Sequence, residues 1–183
     1  SKKNKTLYLN NKFFYISTFI FFTFFLGFRD EVGCDWHSYL VNFEFVSSTS
    51  WDDLLKNNSN DIYEIGYTAI NKVLSYKFNF ESLVLVVSIL FTVPLFLFCS
   101  HLKRPYLSLS IAYPYYFVVV GMGPIRQSVA IAFVMLSIIY ISKKEYNKFF
   151  LFSILSTLFH FSGIIFSSIA IMNYDLFSKK KLY

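Results

Sequence analysis

Two polar side chains, Arg126 and Gln127, stand at the start of an apolar segment in the stretch GMGPIRQSVAIAFVML. The preceding glycines and Pro124 predict a tight turn followed by a helix that begins near Ile125. The first turn of a helix has unpaired N–H groups and a partial positive charge, and the guanidinium fork matches phosphate oxygens. We therefore expect Arg126 to bind an anionic group, while Gln127 hydrogen-bonds to a ligand hydroxyl or to a carboxylate such as Asp35.

Other polar residues along the chain have the chemistry to act with this pair. A carboxylate or an imidazole can accept a proton from a hydroxyl, so Asp35, Glu64 and His160 are candidate general bases. Arg29 and Tyr39 are candidate ligand-binding residues. Two of these residues have a purely structural alternative: Arg29 as an interfacial anchor that extends to the head groups, and His160 as a neutral ring hydrogen-bonded between helices.

The composition predicts that membrane helices position these residues. Hydrophobic residues make up 55% of the 183-residue chain and charged residues 15%, and the apolar residues occur in long blocks. We predict an all-α, polytopic transmembrane bundle that forms a single integral membrane domain over residues 1–183. It has about five membrane segments, at about 13–28, 83–100, 106–121, 125–142 and 149–172, and one long outside loop at 29–81.

The basic residues set the orientation of this topology. Lysines precede the first segment and basic residues cluster after the second and fourth, whereas residues 29–81 hold nine acidic and four basic side chains. Because cytoplasmic segments are enriched in lysine and arginine, the N-terminus is expected inside and residues 29–81 outside. A helical break near His160 would return the last segment to the inside, together with its lysines. All the candidate residues then lie toward the outer face.

Residues 61–74, within the outside loop, have the spacing of an amphipathic helix. Ile65, Ala69 and Val73 fall on one face at intervals of four residues. Such a helix would rest on the membrane surface and hold Glu64 toward the site.

The patterns that the sequence lacks disfavour several classes of function. It has no CxxC, HExxH, GxSxG, Walker or GxGxxG pattern, which argues against metal hydrolases, serine hydrolases and nucleotide-driven enzymes. We expect neither a metal nor a cofactor. The net charge of +6 lies largely in lysine clusters between apolar blocks, which suits anionic lipid head groups better than nucleic acid. Cys34 and Cys99 would be separated by the bilayer, so no disulfide is expected between them.

Four short motifs, in order along the chain, resemble the EpsG family of Wzy-like polysaccharide polymerases. They span roughly residues 28–165 and read Arg29…Gly33-x-Asp35…Tyr39, Tyr63-Glu64-x-Gly66-Tyr67…Asn71, Gly121-Met122…Ile125-Arg126-Gln127-x-x-Ala130 and Phe159-His160-x-Ser162. Cys34 and Pro124 differ from the residue types usual in the family, and neither change removes a charged group. Family members are typically longer, with further spans before and after these motifs, so the chain is expected to be a fragment or a truncated member.

The resemblance implies a multi-pass protein of the bacterial inner (cytoplasmic) membrane that polymerises oligosaccharide repeats for exopolysaccharide, capsule or O-antigen. Its donor would be a polyprenyl diphosphate-linked oligosaccharide, and its partners would be the lipid bilayer and other polysaccharide assembly proteins. Arg29 and Arg126 would bind the diphosphate, and no nucleotide would be needed because the donor is already activated. The alternative is a non-enzymatic transport or assembly subunit for polysaccharide export, in which the same charges line a passage or contact a partner. A membrane acyltransferase that uses an intramembrane histidine is a third possibility.

Overall fold

The computed structural model describes residues 2–57, 64–165 and 168, with side chains from residue 12 onward. The secondary structure of this part of the chain is entirely helical, which confirms the predicted all-α class. The elements are α1 (Lys2–Gly27), α2 (Trp36–Ser48), α3 (Trp51–Asn57), α4 (Ile65–Ser75), α5 (Phe80–Ser100), α6 (Pro105–Ala112), a π-helix (Tyr113–Val120), α7 (Ile125–Ser142) and α8 (Tyr146–Phe159).

Two helices, α5 and α7, are long and apolar enough to cross a membrane by length and composition. This is fewer than the five membrane segments predicted. Residues 12–27 and 105–120 form shorter apolar helical stretches, and the second of these is divided between α6 and the π-helix. The predicted fourth segment coincides with α7, because a Gly-Pro turn ends the preceding helix and lysines follow Ser142.

The predicted outside loop at 29–81 is in large part helical, and its position outside the membrane stays a prediction. It contains α2, α3 and α4. Helix α2 forms because its apolar residues recur every three or four positions, and they pack inward: Trp36, Tyr39, Phe43 and Val46. The amphipathic helix expected at 61–74 is observed as α4 from Ile65 onward, and residues 61–63 lie outside the described residues.

Helix α5 is central, since it packs against α1 on one side and α7 on the other, while α7 also packs against α8. Hydroxyl groups link these helices. The side chains of Thr23 and Thr92 are hydrogen-bonded at 2.8 Å, and Ser156 donates to the Ala130 carbonyl at 2.9 Å. Such small polar contacts are a common means of joining helices where water is absent. Two small residues of α7, Ser128 and Ala132, are also buried.

Large apolar side chains cover much of the outer surface of this bundle. Phe13 on α1 is 75% exposed and Ile154 on α8 is 60% exposed, and they are two of many such residues. The surface of a soluble monomer rarely presents apolar patches this extensive, whereas lipid tails solvate them without cost. The exposed surface therefore supports a membrane environment.

The short helices α2 and α4 pack against each other at one end of the bundle, and α4 also contacts α5 and α8. Lys72 of α4 is buried and donates hydrogen bonds to three carbonyls at the end of α2, those of Val46, Ser47 and Thr49, at 3.2, 3.0 and 2.7 Å. These carbonyls would otherwise lack partners, because no N–H group of the same helix is available to donate to the carbonyls of its last turn. The lysine therefore fixes α2 to α4.

Candidate functional site

The polar residues converge where α1 ends and α7 begins, beneath α2 and α4. The segment between α1 and α2 crosses the turn that precedes α7 at Gly33, whose φ of +113° is open only to glycine. A Cβ atom at Gly33 would overlap the backbone oxygen of Met122. This close approach brings Arg29 next to the start of α7.

Arg29 is a buried cation, 9% exposed, at the end of α1. Its Nη1 donates to the Gly121 carbonyl at 2.5 Å, its guanidinium lies 5.9 Å from the centre of the Trp36 ring, and its Nε has no hydrogen-bond partner among the described residues. Burial lowers the pKa of Arg29 to about 10, against the opposite effect of Tyr39 and Tyr67, so the side chain is still charged at neutral pH. Within the described residues no carboxylate pairs with it. Arg29 is therefore a desolvated positive charge that lacks a counterion within the part of the chain that the structure describes.

Arg126 occupies the second position of α7, as the sequence predicts for a residue at the start of that helix. It forms an ion pair with Glu64, which precedes α4, and both side chains are about one-third exposed, at 35% and 28%. Its guanidinium also lies over two aromatic rings, 5.4 Å from the centre of Tyr39 and 5.7 Å from that of Tyr67. The expected approach of Glu64 to Arg126 is thus observed, and the rings hold the guanidinium from the other side.

Tyr67 connects the surroundings of the two arginines. It is 2% exposed, its ring contacts that of Tyr39 edge-on at 5.8 Å, and its hydroxyl has no hydrogen-bond partner in the described part of the chain. Burial raises the pKa of Tyr67, against the smaller lowering effects of the nearby Asn71 side chain and of Arg29, so the hydroxyl keeps its proton and is a potential donor. Tyr67 is not among the residues predicted for the site, although it follows Glu64 by three positions and the two therefore lie on one side of the start of α4. Trp36 was missed in the same way, three residues before Tyr39.

His160 follows the last residue of α8 in an extended conformation, so the predicted helical break near this residue is present. The ring lies within electrostatic range of Arg126, and its Nδ1 accepts a hydrogen bond from the Ser162 N–H at 3.2 Å. A neutral ring that accepts at Nδ1 carries its proton on Nε2. In this arrangement His160 offers a donor to its surroundings. The path of the chain beyond residue 168 lies outside the described residues.

The other two candidate residues are not joined to this group. Asp35 is half-buried just before α2, and its carboxylate makes no hydrogen bond or ion pair with the described residues. Gln127 lines a different cleft of about 340 Å³, formed with apolar residues of α5, the π-helix and α7. Successive residues of a helix differ by about 100° in direction, which explains why Gln127 faces away from Arg126. The structure thus brings together Arg29, Tyr39, Glu64, Arg126 and His160.

The family model for EpsG matches residues 12–183, nearly the whole chain. The chain belongs to the EpsG family. Neither the curated proteins nor the solved structures contain a match to it. Membership in the EpsG family identifies a membrane protein related to polysaccharide biosynthesis, as the exposed apolar surface also supports.

The donor atoms near the site of this EpsG-family chain suit an anionic ligand better than a metal ion. The described residues contain no group of three histidine, cysteine or acidic side chains close enough to bind a metal. The site instead combines two guanidinium groups, a tyrosine hydroxyl and an imidazole N–H, with one carboxylate at its edge. Such groups bind phosphate oxygens and sugar hydroxyls.

Proposed function

We propose that this chain is a polysaccharide polymerase of the bacterial inner membrane, which joins oligosaccharide repeats carried on polyprenyl diphosphate. An acceptor hydroxyl attacks the anomeric carbon of the donor sugar. The new carbon–oxygen bond of the glycosidic linkage forms while the bond from that carbon to the diphosphate oxygen breaks. A base takes the hydroxyl proton, and the polyprenyl diphosphate leaves as an anion. No other reactant is needed, because the diphosphate is already a good leaving group.

The observation that carries this proposal is Arg29, a buried cation without a counterion and with its Nε unpaired in the described part of the chain. Burial of a charge is costly unless an opposite charge or several hydrogen bonds compensate for it. A diphosphate supplies both. The hydroxyl of Tyr67, also buried and unpaired among the described residues, would give a second bond to the same anion.

The leaving diphosphate gains charge as the glycosidic bond breaks, so fixed cations beside it lower the barrier to reaction. Arg126 lies over the rings of Tyr39 and Tyr67, and its fork could bind a second phosphate. His160 would donate from Nε2 to a phosphate or sugar oxygen. This role differs from that of a base, and it leaves Glu64 and Asp35 for proton transfer. Glu64 is the better placed of the two, because it already contacts Arg126.

The polymerase would be embedded through five segments, with the site at its outer end. The start of α7 would lie near the outer interface, where an arginine costs less than the approximately 2.5–3.5 kcal/mol of mid-membrane on insertion scales. Lipid-linked donors reach such a site laterally from the bilayer, and their charged groups stay at the level of the head groups.

The test uses cells that lack the chromosomal copy and express the wild-type chain, Arg126→Ala or Arg104→Ala. Besides Arg29 and Arg126, Arg104 is the chain's remaining arginine. It is exposed at the other end of the bundle, just before α6. We expect Arg126→Ala to abolish long polymer on gels, and Arg104→Ala to preserve it, at equal amounts of membrane protein. Unchanged polymer length and amount with Arg126→Ala would overturn the proposal and favour a non-enzymatic role in export.

A second measurement separates catalysis from transport. The purified chain in detergent or lipid nanodiscs is mixed with a polyprenyl diphosphate-linked repeat, and products are followed by gel and mass spectrometry. An enzyme lengthens the lipid-linked glycan and releases polyprenyl diphosphate. If the purified chain does not lengthen the glycan, although the same protein restores polymer in cells, the polymerase activity belongs to a partner protein.

A further inference from the structure

The two arginines of the site differ in the partners that they already have. Arg126 is paired with the carboxylate of Glu64, whereas Arg29 has no carboxylate partner among the described residues and keeps an unpaired Nε. They also differ in burial, because Arg29 is 9% exposed and the Arg126 side chain 35% exposed. An incoming anion therefore meets one empty position and one that is taken.

The unpaired donors define the empty position. Arg29 and Tyr67 interact electrostatically, both are at least nine-tenths buried, and each has one polar atom without a partner in the described part of the chain. An unsatisfied buried donor costs about 1–3 kcal/mol, so an oxyanion that bonds to both groups would be stabilised on arrival.

We propose that the site binds a diphosphate in two unequal halves: one phosphate binds Arg29 and Tyr67 directly, and the other displaces Glu64 from Arg126. This inference rests on the proposed function and adds an order of events to it. Glu64 is held by Arg126 while the donor is absent. Once the diphosphate takes its place, the carboxylate is free to accept the proton of the acceptor hydroxyl. The same exchange makes the base available only when a donor is bound.

The arrangement predicts opposite effects of one substitution on binding and on reaction. In Glu64→Gln the competitor of the diphosphate is weakened, while the shape of the side chain is retained. We expect this variant to bind a diphosphate about two- to five-fold more tightly, the range that suits an ion pair one-third exposed. Polymer formation should be lost, because an amide does not accept the proton.

The experiment measures binding of farnesyl diphosphate and farnesyl monophosphate to the purified full chain by isothermal titration. The variants are Glu64→Gln, Tyr67→Phe and Glu44→Gln, the last being an exposed glutamate of α2 that serves as the matched control. We expect Glu64→Gln to raise the affinity for the diphosphate more than that for the monophosphate. Tyr67→Phe should lower the affinity for both ligands by about five-fold or more, and Glu44→Gln should change neither affinity.

The outcomes separate this inference from the proposed function. An equal increase in affinity for both ligands in Glu64→Gln would indicate a general effect of the removed charge. It would overturn the proposal that the diphosphate displaces Glu64. An unchanged or weaker diphosphate affinity in that variant, at the wild-type melting temperature, would overturn it as well. Absence of diphosphate binding by the wild-type chain would instead refute the proposed function itself.

Discussion

Replacement of Arg126 by lysine is the most direct way to distinguish a shaped phosphate ligand from a general positive charge. Lysine keeps the charge, so the pair with Glu64 can still form. It loses the planar fork and the stacking on Tyr39 and Tyr67 at 5.4 and 5.7 Å. Each cation–π contact contributes about 0.5–1 kcal/mol at a partly exposed site. We therefore expect a modest loss of folding stability, of about 1 kcal/mol.

The effect on reaction should be larger. A hydrogen bond to a charged group contributes about 1.5–3 kcal/mol, and lysine cannot replace both parallel bonds of the fork. Because about 1.4 kcal/mol corresponds to a factor of ten, Arg126→Lys should lower kcat/KM by about 10- to 150-fold. The shift in stability is too small to explain such a loss.

The assay follows chain extension of a lipid-linked repeat by purified protein, with thermal unfolding measured in the same detergent. Arg104→Lys is the matched control, since Arg104 is exposed and distant from the site, and it should stay within about two-fold of wild type. A kcat/KM for Arg126→Lys within about three-fold of wild type would refute the argument, because any cation at that position would then be sufficient.

Three further predictions concern topology and packing. Cys34 is exposed, so a membrane-impermeant maleimide should label it in spheroplasts; labelling only after solubilisation would reverse the orientation. Gly33→Ala should destabilise the fold by about 1–3 kcal/mol and lower activity, since φ there is +113° and Met122 blocks a Cβ; a wild-type melting temperature would contradict this. Ser156→Ala should cost about 0.6 kcal/mol in unfolding assays through its lost interhelical bond, whereas Ser153→Ala, with no described partner to lose, should be neutral; equal effects would refute the assignment.

Helix α7 was predictable to the residue because local signals mark both of its ends. A proline, which has no N–H group to donate, precedes Ile125, and lysines follow Ser142. These residue types mark the start and the end of the apolar helix. Residues 105–120 also begin with a proline, Pro105, but no signal of this kind gives the type of helix that follows. Nothing in their hydropathy separates α6 from the π-helix, because both are apolar and the difference lies in backbone hydrogen bonding.

Helix α2 was missed for a different reason. Its acidic neighbours made the 29–81 segment look like a polar loop, although Trp36, Tyr39, Phe43 and Val46 have helical spacing. The overall polarity of the segment suggested a loop, but the periodicity of its apolar residues was the better indicator of its structure. The same pattern would have identified Trp36 as a neighbour of Tyr39.

The convergence of Arg29, Glu64 and Arg126 could be inferred only in part. Topology predicts that all three lie at one end of the bundle, and the structure agrees. The approach of Glu64 to the site was predicted, but the individual contacts were not, because they depend on the contact of Gly33 with Met122 and on the fit of α4 against α8. Neighbours in sequence can also point apart, as Gln127 does.

The hydrogen bonds of Lys72 have a consequence for the timescale of ligand exchange. All three ammonium protons are used on the end of α2, so α2 and α4 form one stiff unit that carries Tyr39 and Tyr67 together. Glu64 precedes α4 and is 28% exposed, so it can leave Arg126 by rotating its own side chain. Rotations of exposed side chains take picoseconds to nanoseconds, whereas collective movements of helices take microseconds to milliseconds. We therefore expect departure of Glu64 to be far faster than the turnover it permits.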